Sequence, residues 1–336
     1  MPIQFETREN ETNEKVLAFI DEWNAPTSEI VVHTSGSTGK PKKIVLRKQH
    51  MIASAKATGE FLGLKKGDRA LLCLSMDTIG GRMMVVRALV LELKLIVVDV
   101  SSNPLANVDG NITFAAMVPM QVQNCLDANL SRFANIEQLI IGGAAVSEKL
   151  IDQLQELPTK VFHTFGMTET ISHIAMRSLN HPREGQFSCL PGISVDEKNS
   201  SLVIDAPTIG VHNLQTNDAI ELLSPTSFRW LGRTDFVINS GGVKLHPEEI
   251  ELKLVNLIVR PFFVSGEPDT RLGEKLILWV ESVQRLNLKK SDFASLLANY
   301  SIPKEIKYLN KFAYTSSGKI DRITSKSLPH VALEIL

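Results

Sequence analysis

Between residues 70 and 165, short apolar runs alternate with segments that have a helical pattern. The apolar runs are Ala70–Leu74, Leu95–Val100, Thr113–Val118, Gln138–Ile141 and Val161–Phe165, and the helical segments are Arg82–Glu92, Pro119–Leu126 and Ser147–Leu154. Short apolar runs are typical of buried strands, whereas apolar residues three or four apart are typical of helices. Their alternation predicts a layered α/β domain with a largely parallel sheet. We expect Ser201–Asp205, Ala219–Leu223 and Ser227–Leu231 to close this domain as antiparallel strands.

The pattern changes at Gly232-Arg-Thr-Asp235, where we place a domain boundary. Beyond it we predict helices at Pro247–Ile258 and Ser291–Tyr300 and strands at Pro261–Val264 and Leu276–Val280. A chain of 336 residues is also longer than one hydrophobic core usually organises. The sequence therefore predicts a large α/β domain over residues 1–232 and a small, mobile α+β domain over residues 233–336.

Composition excludes several classes of protein. With 36 Lys and Arg against 37 Asp and Glu, the chain has no overall charge that would favour nucleic acid or an acidic membrane. The three cysteines, Cys73, Cys125 and Cys189, lie too far apart to suggest a disulfide framework or a zinc site. We see no signal peptide and no apolar run near the ~18 residues of a membrane span. These features predict a cytoplasmic protein.

A loop rich in glycine and hydroxyl groups, Thr34–Lys42, follows the apolar run Ile30–Val32 and precedes a helical pattern at Arg47–Leu62. Glycines let backbone N–H groups approach a phosphate, hydroxyls donate further hydrogen bonds, and a lysine adds a positive charge. The spacing is not that of a Walker loop. A solvated loop is the alternative interpretation. The candidate phosphate ligands are Thr34, Ser35, Gly36, Ser37, Thr38, Gly39 and Lys42.

Three further motifs follow in order. Phe165-Gly-Met-Thr-Glu169 offers a hydroxyl for a phosphate oxygen and one carboxylate, which suits Mg²⁺ because that ion keeps most of its waters. A long motif runs from Gly232 to Glu251, and Tyr314-Thr-Ser-Ser-Gly-Lys-Ile-Asp-Arg322 lies near the C-terminus. Together with the glycine-rich loop, these motifs resemble the adenylate-forming superfamily of acyl-CoA synthetases, carrier-protein adenylation domains and luciferases.

The resemblance implies a two-step reaction. A carboxylate attacks the α-phosphate of ATP to give an acyl-adenylate and pyrophosphate, and a thiol, usually of coenzyme A, then displaces AMP. The resemblance places Thr34–Gly39 and Lys42 on the β- and γ-phosphates, Thr168 on the α-phosphate and Glu169 on Mg²⁺. It also places Lys319 between the acyl carboxylate and the α-phosphate, where a cation offsets the repulsion between two anions.

The nucleoside contacts are also implied by the resemblance. The ribose-binding acid of the family lies in a Thr-Gly-Asp motif, and the match here is Thr216-Asn-Asp218, with Arg233 joining Asp218 on the ribose. Residues that resemble the adenine-bracketing segments are Gly142, Gly143, Ala144, Phe165 and Gly166. A strand-to-loop turn and core packing are the alternatives for these segments. His163 is a further substrate-binding candidate, or else a core histidine.

The resemblance places Asp235 at the hinge between the two domains of family members. Rotation of the small domain about this hinge would replace Lys319 by Gly241 and Gly242 at the acyl-adenylate. Glycines suit that place because a pantetheine arm must pass close to the backbone. Only residues 1–33 precede the phosphate loop, whereas family members usually carry a whole additional subdomain there. The chain is therefore expected to be a compact variety, or to have that region supplied otherwise, by a homo-oligomer or another partner.

The segment Ile79-Gly-Gly…Arg-Ala-Leu89 resembles the o-succinylbenzoate–CoA ligases of menaquinone synthesis. The resemblance makes Gly80, Gly81 and Arg87 substrate-binding candidates, with Arg87 on a second substrate carboxylate. The alternatives are that Arg87 pairs with an acid such as Asp99 or reaches solvent, and Arg82 is a weaker candidate. Two other functions stay open, namely a protein that loads a carrier-protein thiol and a catalytically silent nucleotide-binding relative.

Overall fold

A computed structural model describes residues 3–5, 10–33, 43–314 and 320–336. In chain order the first elements are β1 (Ile3–Phe5), α1 (Glu11–Asn24), β2 (Glu29–His33), β3 (Lys43–Arg47), α2 (Lys48–Leu62), β4 (Arg69–Leu72), α3 (Ile79–Val90), β5 (Lys94–Val97), β6 (Ile112–Met117), α4 (Pro119–Asn129), β7 (Ile136–Ile141), α5 (Glu148–Leu154) and β8 (Lys160–Gly166). They are followed by β9 (His173–Ser178), β10 (Phe187–Cys189), β11 (Ser194–Lys198), β12 (Ser201–Ala206), β13 (Val211–Gln215), β14 (Asp218–Ser224) and β15 (Ser227–Arg233). The remaining elements are β16 (Ile238–Ser240), β17 (Val243–Leu245), α6 (Pro247–Leu254), β18 (Phe262–Asp269), β19 (Gly273–Glu281), α7 (Lys290–Ala294), β20 (Glu305–Leu309), α8 (Arg322–Ser327) and β21 (Ala332–Ile335).

A ten-stranded sheet organises the larger part of the chain, in the order β1-β5-β4-β6-β7-β8-β9-β10-β15-β14. The strands from β1 to β8 pair in parallel, and those from β8 to β14 pair antiparallel. Strand β5 lies on one side of β4 and β6 on the other, so the chain changes direction across the sheet at β4. Open α/β sheets bind ligands beyond the carboxyl ends of their strands at such a point.

Both faces of this sheet are covered around its central parallel strands, which explains why β4, β5 and β6 are largely apolar runs. In β4, Ala70 and Leu72 pack into one hydrophobic cluster, whereas Leu71 packs into a second cluster on the opposite face. The helix α3 is buried around most of its circumference, and it begins where the Oγ1 atom of Thr78 accepts a hydrogen bond from the backbone N–H of Gly81 at 3.4 Å. The predicted layered α/β architecture is therefore present.

The structure corrects two details of the predicted order. Strand β3 stands between the phosphate loop and helix α2, and it pairs antiparallel with β2 from Glu29↔Arg47 to His33↔Lys43. The loop was expected to lead directly into the helix. Strand β12 lies in a separate three-stranded sheet with β11 and β13, whereas β14 and β15 do close the large sheet as predicted.

The C-terminal part has a six-stranded sheet and hydrophobic clusters of its own, around Ile250, Leu278 and Phe293 and around Phe263 and Trp279. Helix α6 of this part also packs on β15. The exact division between residues 232 and 233 stays a prediction. Among the described residues, no helix is long and apolar enough to cross a membrane.

Candidate active site

The predicted phosphate-binding and lysine-bearing loops fall outside the described residues. The residues concerned are Thr34, Ser35, Gly36, Ser37, Thr38, Gly39, Lys42 and Lys319. The residues that flank both loops are described. His33 pairs with Lys43 at the end of the β2–β3 ladder, and Tyr314 forms an antiparallel bridge with Ile320. The chain on either side of each loop is therefore fixed by backbone pairing.

The carboxyl end of β7 lies against β8 at Gly142. The backbone N–H of Gly142 donates to the carbonyl of Met117 at 3.1 Å, and a Cβ atom at this position would lie 2.5 Å from Oγ1 of Thr164. A larger residue here would therefore require the side chain of Thr164 to move. Gly143 follows with a φ of +83°, which also favours glycine. The strand-to-loop turn considered as the alternative is therefore present, and Gly143 and Ala144 are exposed in it.

His163 supports the same loop from β8. Its Nε2 atom lies 3.3 Å from the carbonyl oxygen of Ala144, and Arg177 lies 3.5 Å from Nδ1. Because a carbonyl can only accept, Nε2 carries the proton and Nδ1 accepts from the guanidinium. Burial, and secondly the charge of Arg177, lower the pKa of His163 to about 4, so the ring is neutral. The structure thus gives His163 a role in holding the loop.

Phe165 is half-buried in an aromatic cluster. Its ring packs edge-on against Phe228 at 5.2 Å and lies 5.7 Å from Phe187, so core packing accounts for much of this residue. A Cβ atom at Gly166 would lie 2.4 Å from the carbonyl oxygen of Ser172. Gly166 is therefore required by the tight return of the chain, whether or not adenine also contacts it.

The turn after β8 presents Thr168 and Glu169. Thr168–Thr170 form one 3₁₀ turn, and Oγ1 of Thr170 ties it to the backbone of Met167. The next residue, Ile171, is buried at a φ of +68°, which is strained for a β-branched side chain and costs on the order of 1–3 kcal/mol. Glu169 is exposed and, within the described part of the chain, has no ion pair. One free carboxylate is a donor that fits Mg²⁺, which takes few protein ligands.

Asp218 lies at the start of β14, directly opposite Arg233 on β15. Its side chain is 6% exposed, and its Oδ1 atom accepts a hydrogen bond from the indole N–H of Trp230 at 3.0 Å. Asn217, which replaces the glycine of the family motif, does not adopt a positive φ, so the turn tolerates it. The guanidinium of Arg233 contacts Asp235 at 2.6 Å instead of Asp218.

Arg87 is the most deeply buried cation near the expected acyl site, with 2% of its surface exposed. Its Nη2 donates to Oγ of Ser172 at 2.7 Å and its Nε donates to Oγ1 of Thr58 at 3.4 Å. Among the described residues it has no carboxylate partner. Asp99, the acid considered for it, instead accepts a hydrogen bond from the side chain of Asn10. Burial lowers the pKa of Arg87 to about 10.

The hydrogen bonds around Arg87 have one consistent assignment. The hydroxyl of Thr58 donates to the carbonyl of Ser54 at 3.1 Å, so its oxygen accepts from Arg87 and from Nε2 of His173 at 3.0 Å. Nδ1 of His173 then accepts from the hydroxyl of Ser172 at 3.3 Å. Burial, and secondly Arg87, hold the pKa of His173 well below its ordinary value. Arg87 is thus a cation surrounded by neutral groups.

The other acyl-site candidates have structural explanations. A Cβ atom at Gly81 would lie 2.3 Å from the carbonyl of Ser75, and one at Gly80 would lie 3.3 Å from the side chain of Leu74. The guanidinium of Arg82 donates to the carbonyls of Met76 and Val31 at 3.1 and 3.0 Å, which ties α3 to β2. Arg82 is therefore a structural residue in this conformation.

Gly241 and Gly242 form the two-residue turn of the β16–β17 hairpin, in which Ser240 pairs with Val243. Both have positive φ angles, +59° and +81°, as a twisted two-residue hairpin requires. No atom lies within 4 Å of a Cβ placed at Gly242. The turn therefore offers bare backbone to a ligand.

Sequence reasoning missed Trp230, Ser172, Thr58 and His173. The signal for Ser172 and His173 was their position directly after the Phe165–Glu169 motif. No local signal marked Thr58 or Trp230, because each meets its partner through tertiary packing.

Comparison with known proteins shows what this chain is similar to. A family model described as AMP-binding enzyme matches residues 4–207. The 2-succinylbenzoate–CoA ligase of Enterococcus faecalis is 26% identical over 326 residues, which cover 86% of this chain and 67% of that protein. The enzyme of the same name from Lactococcus lactis is 26% identical and covers 87% of this chain and 69% of its own length.

Two solved structures are also similar. An AMP-forming acyl-CoA synthetase/AMP-acid ligase II-like protein from Dyadobacter fermentans is 36% identical, with a TM-score of 0.64, and the match covers 95% of each chain. The o-succinylbenzoate CoA synthetase of Bacillus subtilis, in complex with its acyl-adenylate, is 21% identical with a TM-score of 0.74 and covers 89% of this chain and 69% of that one. The match to the Bacillus subtilis structure shows that the two proteins share the same fold.

Proposed function

Because this chain belongs to the AMP-binding enzyme family, we propose that it activates an aromatic dicarboxylic acid, such as 2-succinylbenzoate, with ATP and transfers the acyl group to coenzyme A. The predicted class, an AMP-forming acid–thiol ligase, is confirmed by its relatives. The identity of the acid and the roles of individual residues are the proposed part.

In the first step, a carboxylate oxygen of the acid attacks the α-phosphorus of ATP, and pyrophosphate leaves with the electrons of the broken P–O bond. Thr168 would donate to the α-phosphate and Glu169 would hold Mg²⁺, which supplies charge neutralisation on the phosphates. Lys319 would lie between the two anions. The strained turn at Ile171 supports this proposal, because strain of this kind is concentrated at functional sites.

In the second step, the thiol sulfur of coenzyme A attacks the acyl carbonyl, and AMP leaves as the thiol proton is lost. The hairpin at Gly241 and Gly242 is suited to flank the thiol-bearing arm, since its backbone carries no side chain to block the approach. Asp235 would act as the hinge that exchanges this hairpin for Lys319.

The observation that carries the choice of acid is the unpaired charge of Arg87. A buried cation is costly unless it is neutralised, and an ionised carboxylate of the substrate would supply the missing partner. Guanidinium and carboxylate also match in geometry. The names of the curated relatives agree with an acid that keeps a second carboxylate after activation of the first.

The test is ATP-dependent pyrophosphate release measured with 2-succinylbenzoate, with its ester at the carboxylate that is not activated, and with a matched aromatic monoacid. We expect AMP and pyrophosphate as products, with a preference of roughly 10²-fold for the diacid. ADP and orthophosphate as the only products would refute the ligase mechanism. Equal use of diacid and ester would remove only the choice of acid. Thioester formation with coenzyme A and with a carrier-protein thiol tests the acceptor separately, because pyrophosphate leaves before the thiol reacts.

Two expectations stay predictions. The first is assembly as a homo-oligomer or with a partner chain, and the second is the cytoplasmic location. Size-exclusion chromatography with light scattering tests the first directly.

A further inference from the structure

Trp230 and Asp218 are brought together by a β-bulge between β14 and β15. Asp218 lies opposite Arg233 and Ala219 opposite Gly232, but Ile220 lies opposite Trp230, so Leu231 is the extra residue. In a regular ladder Ile220 would face Leu231, and Trp230 would point to the other face of the sheet. Bulges are known to redirect side chains near active sites. Here the bulge places the indole on the same face as the Asp218 carboxylate.

The resulting contact fixes one oxygen of that carboxylate. The indole N–H donates to Oδ1 of Asp218 at 3.0 Å, and Asp218 is 6% exposed, so water competes poorly for the bond. The backbone N–H of Asp218 is bound to Oγ1 of Thr216 at 3.1 Å, which fixes the backbone of the same residue. In the described part of the chain, Trp230 is the one side-chain donor to this carboxylate.

We propose that Trp230 is a positioning residue that orients Asp218 toward the two hydroxyls of a ribose and thereby makes the site prefer ribonucleotides to deoxyribonucleotides. This inference rests on the proposed function, because it takes the nucleotide to bind with its ribose at Asp218. A carboxylate has about four acceptor positions. With one of them used by the indole, the others are held in a fixed direction, and adjacent hydroxyls can be bound without first ordering the side chain.

The experiment is direct binding of AMP and of 2′-deoxy-AMP, measured by titration calorimetry on the wild type and on Trp230→Phe. The phenyl ring keeps most of the packing and removes the N–H. We expect the Kd for AMP to rise about 5- to 10-fold, the scale of one ordinary net hydrogen bond, because the bond positions Asp218 and does not itself contact the nucleotide. We expect the Kd for 2′-deoxy-AMP to rise less, so that the ratio of the two constants falls roughly threefold or more. Equal weakening of both nucleotides, or no weakening, would overturn the inference.

A matched control uses the tryptophan of the other domain. Trp279 donates its indole N–H to Oγ of Ser265 at 2.9 Å, so Trp279→Phe removes a similar bond away from Asp218. The Trp279→Phe variant should leave the ratio of the Kd values for AMP and 2′-deoxy-AMP unchanged. Trp230→His, which keeps a ring N–H, should retain more of the ratio than Trp230→Phe. This variant also supplies the result if thermal unfolding shows that Trp230→Phe does not fold.

Asp218→Asn separates this inference from the proposed function. If Asp218→Asn leaves AMP binding unchanged, the ribose site itself is wrong. If Asp218→Asn weakens AMP binding but Trp230→Phe does not alter the ratio, the site stands and only the positioning role falls. In the Asn background, Trp230→Phe should no longer change the ratio, because the carboxylate that it orients is absent.

Discussion

Replacing Arg87 by methionine should separate stability from substrate choice. Burial lowers the pKa of Arg87 from its ordinary value of 12.5 to about 10, which corresponds to roughly 3 kcal/mol against the charged form. The change also removes hydrogen bonds to Ser172 and Thr58, worth about 1–3 kcal/mol together. Both hydroxyls keep other partners, so neither is left unsatisfied. The free energy of unfolding should therefore stay equal or rise by up to about 2 kcal/mol.

The preference for the diacid should be lost in Arg87→Met, although the stability of the protein is kept. Without the guanidinium, the roughly 10²-fold preference for the diacid over its ester should fall close to one. Arg87→Lys should recover part of it, because an ammonium cannot reproduce the planar fork. The measurements are urea unfolding without ligand and kcat/KM for the diacid and ester.

Arg322→Met is the matched control for stability. Arg322 is also largely buried, but its Nη2 atom contacts Oε2 of Glu251 at 2.8 Å, so its removal leaves a carboxylate unpaired. This variant should lose about 3–5 kcal/mol. A loss of more than about 2 kcal/mol in Arg87→Met, with an unchanged preference for the diacid, would show that Arg87 is a structural residue.

Three further changes test other parts of the site. Lys319→Ala should slow adenylation by roughly 10²–10³ and spare thioester formation from supplied acyl-adenylate, and an equal loss in both half-reactions would contradict the proposed exchange of domains. Glu169→Gln should raise the Mg²⁺ concentration for half-maximal pyrophosphate release by about tenfold or more. An unchanged Mg²⁺ concentration would show that Glu169 does not bind the metal. His173 has a depressed pKa in the folded state, so it contributes stability above pH 6.5 that is lost as the pH falls. Urea unfolding at pH 7 and pH 5 should therefore show a steeper loss in the wild type than in His173→Gln, by up to about 1.4 kcal/mol per pH unit, and parallel losses would rule this out.

The predictable part of the fold was the part set by local pattern. The parallel strands β4 to β8 are largely apolar, and each was predicted within a few residues, whereas the edge strand β1 was not predicted. Strand β3 was missed because Lys43–Arg47 alternates exposed and buried residues and directly adjoins the pattern of α2. The helix predicted to Tyr300 ends at Ala294, and the 3₁₀ turn Asn299–Ser301 follows it.

The predictable part of the site was its motifs, and the unpredictable part was their partners. Asp218 could be found from Thr216-Asn-Asp218, but the bulge that turns Trp230 toward it depends on the pairing of two strands. Likewise, Arg87 could be identified on its helix, whereas Thr58 and Ser172 reach it from distant points of the chain. Pairing register and tertiary contact are not encoded in any short window of residues.

The contacts around Asp235, the proposed hinge, are weak enough to permit rotation. Arg233 and Asp235 form an ion pair in which both side chains are more than a third exposed, and such pairs contribute about 0–1 kcal/mol. Next to it, Glu248 of helix α6 lies against Gly232, where a Cβ atom would come within 2.6 Å of its Oε2. That oxygen is buried and, within the described residues, has no hydrogen-bond partner, which disfavours this arrangement. Asp218, the proposed ribose ligand, belongs to the large sheet and would not move. Rotation about Asp235 would therefore exchange one loop of the small domain for another while the adenylate stays bound.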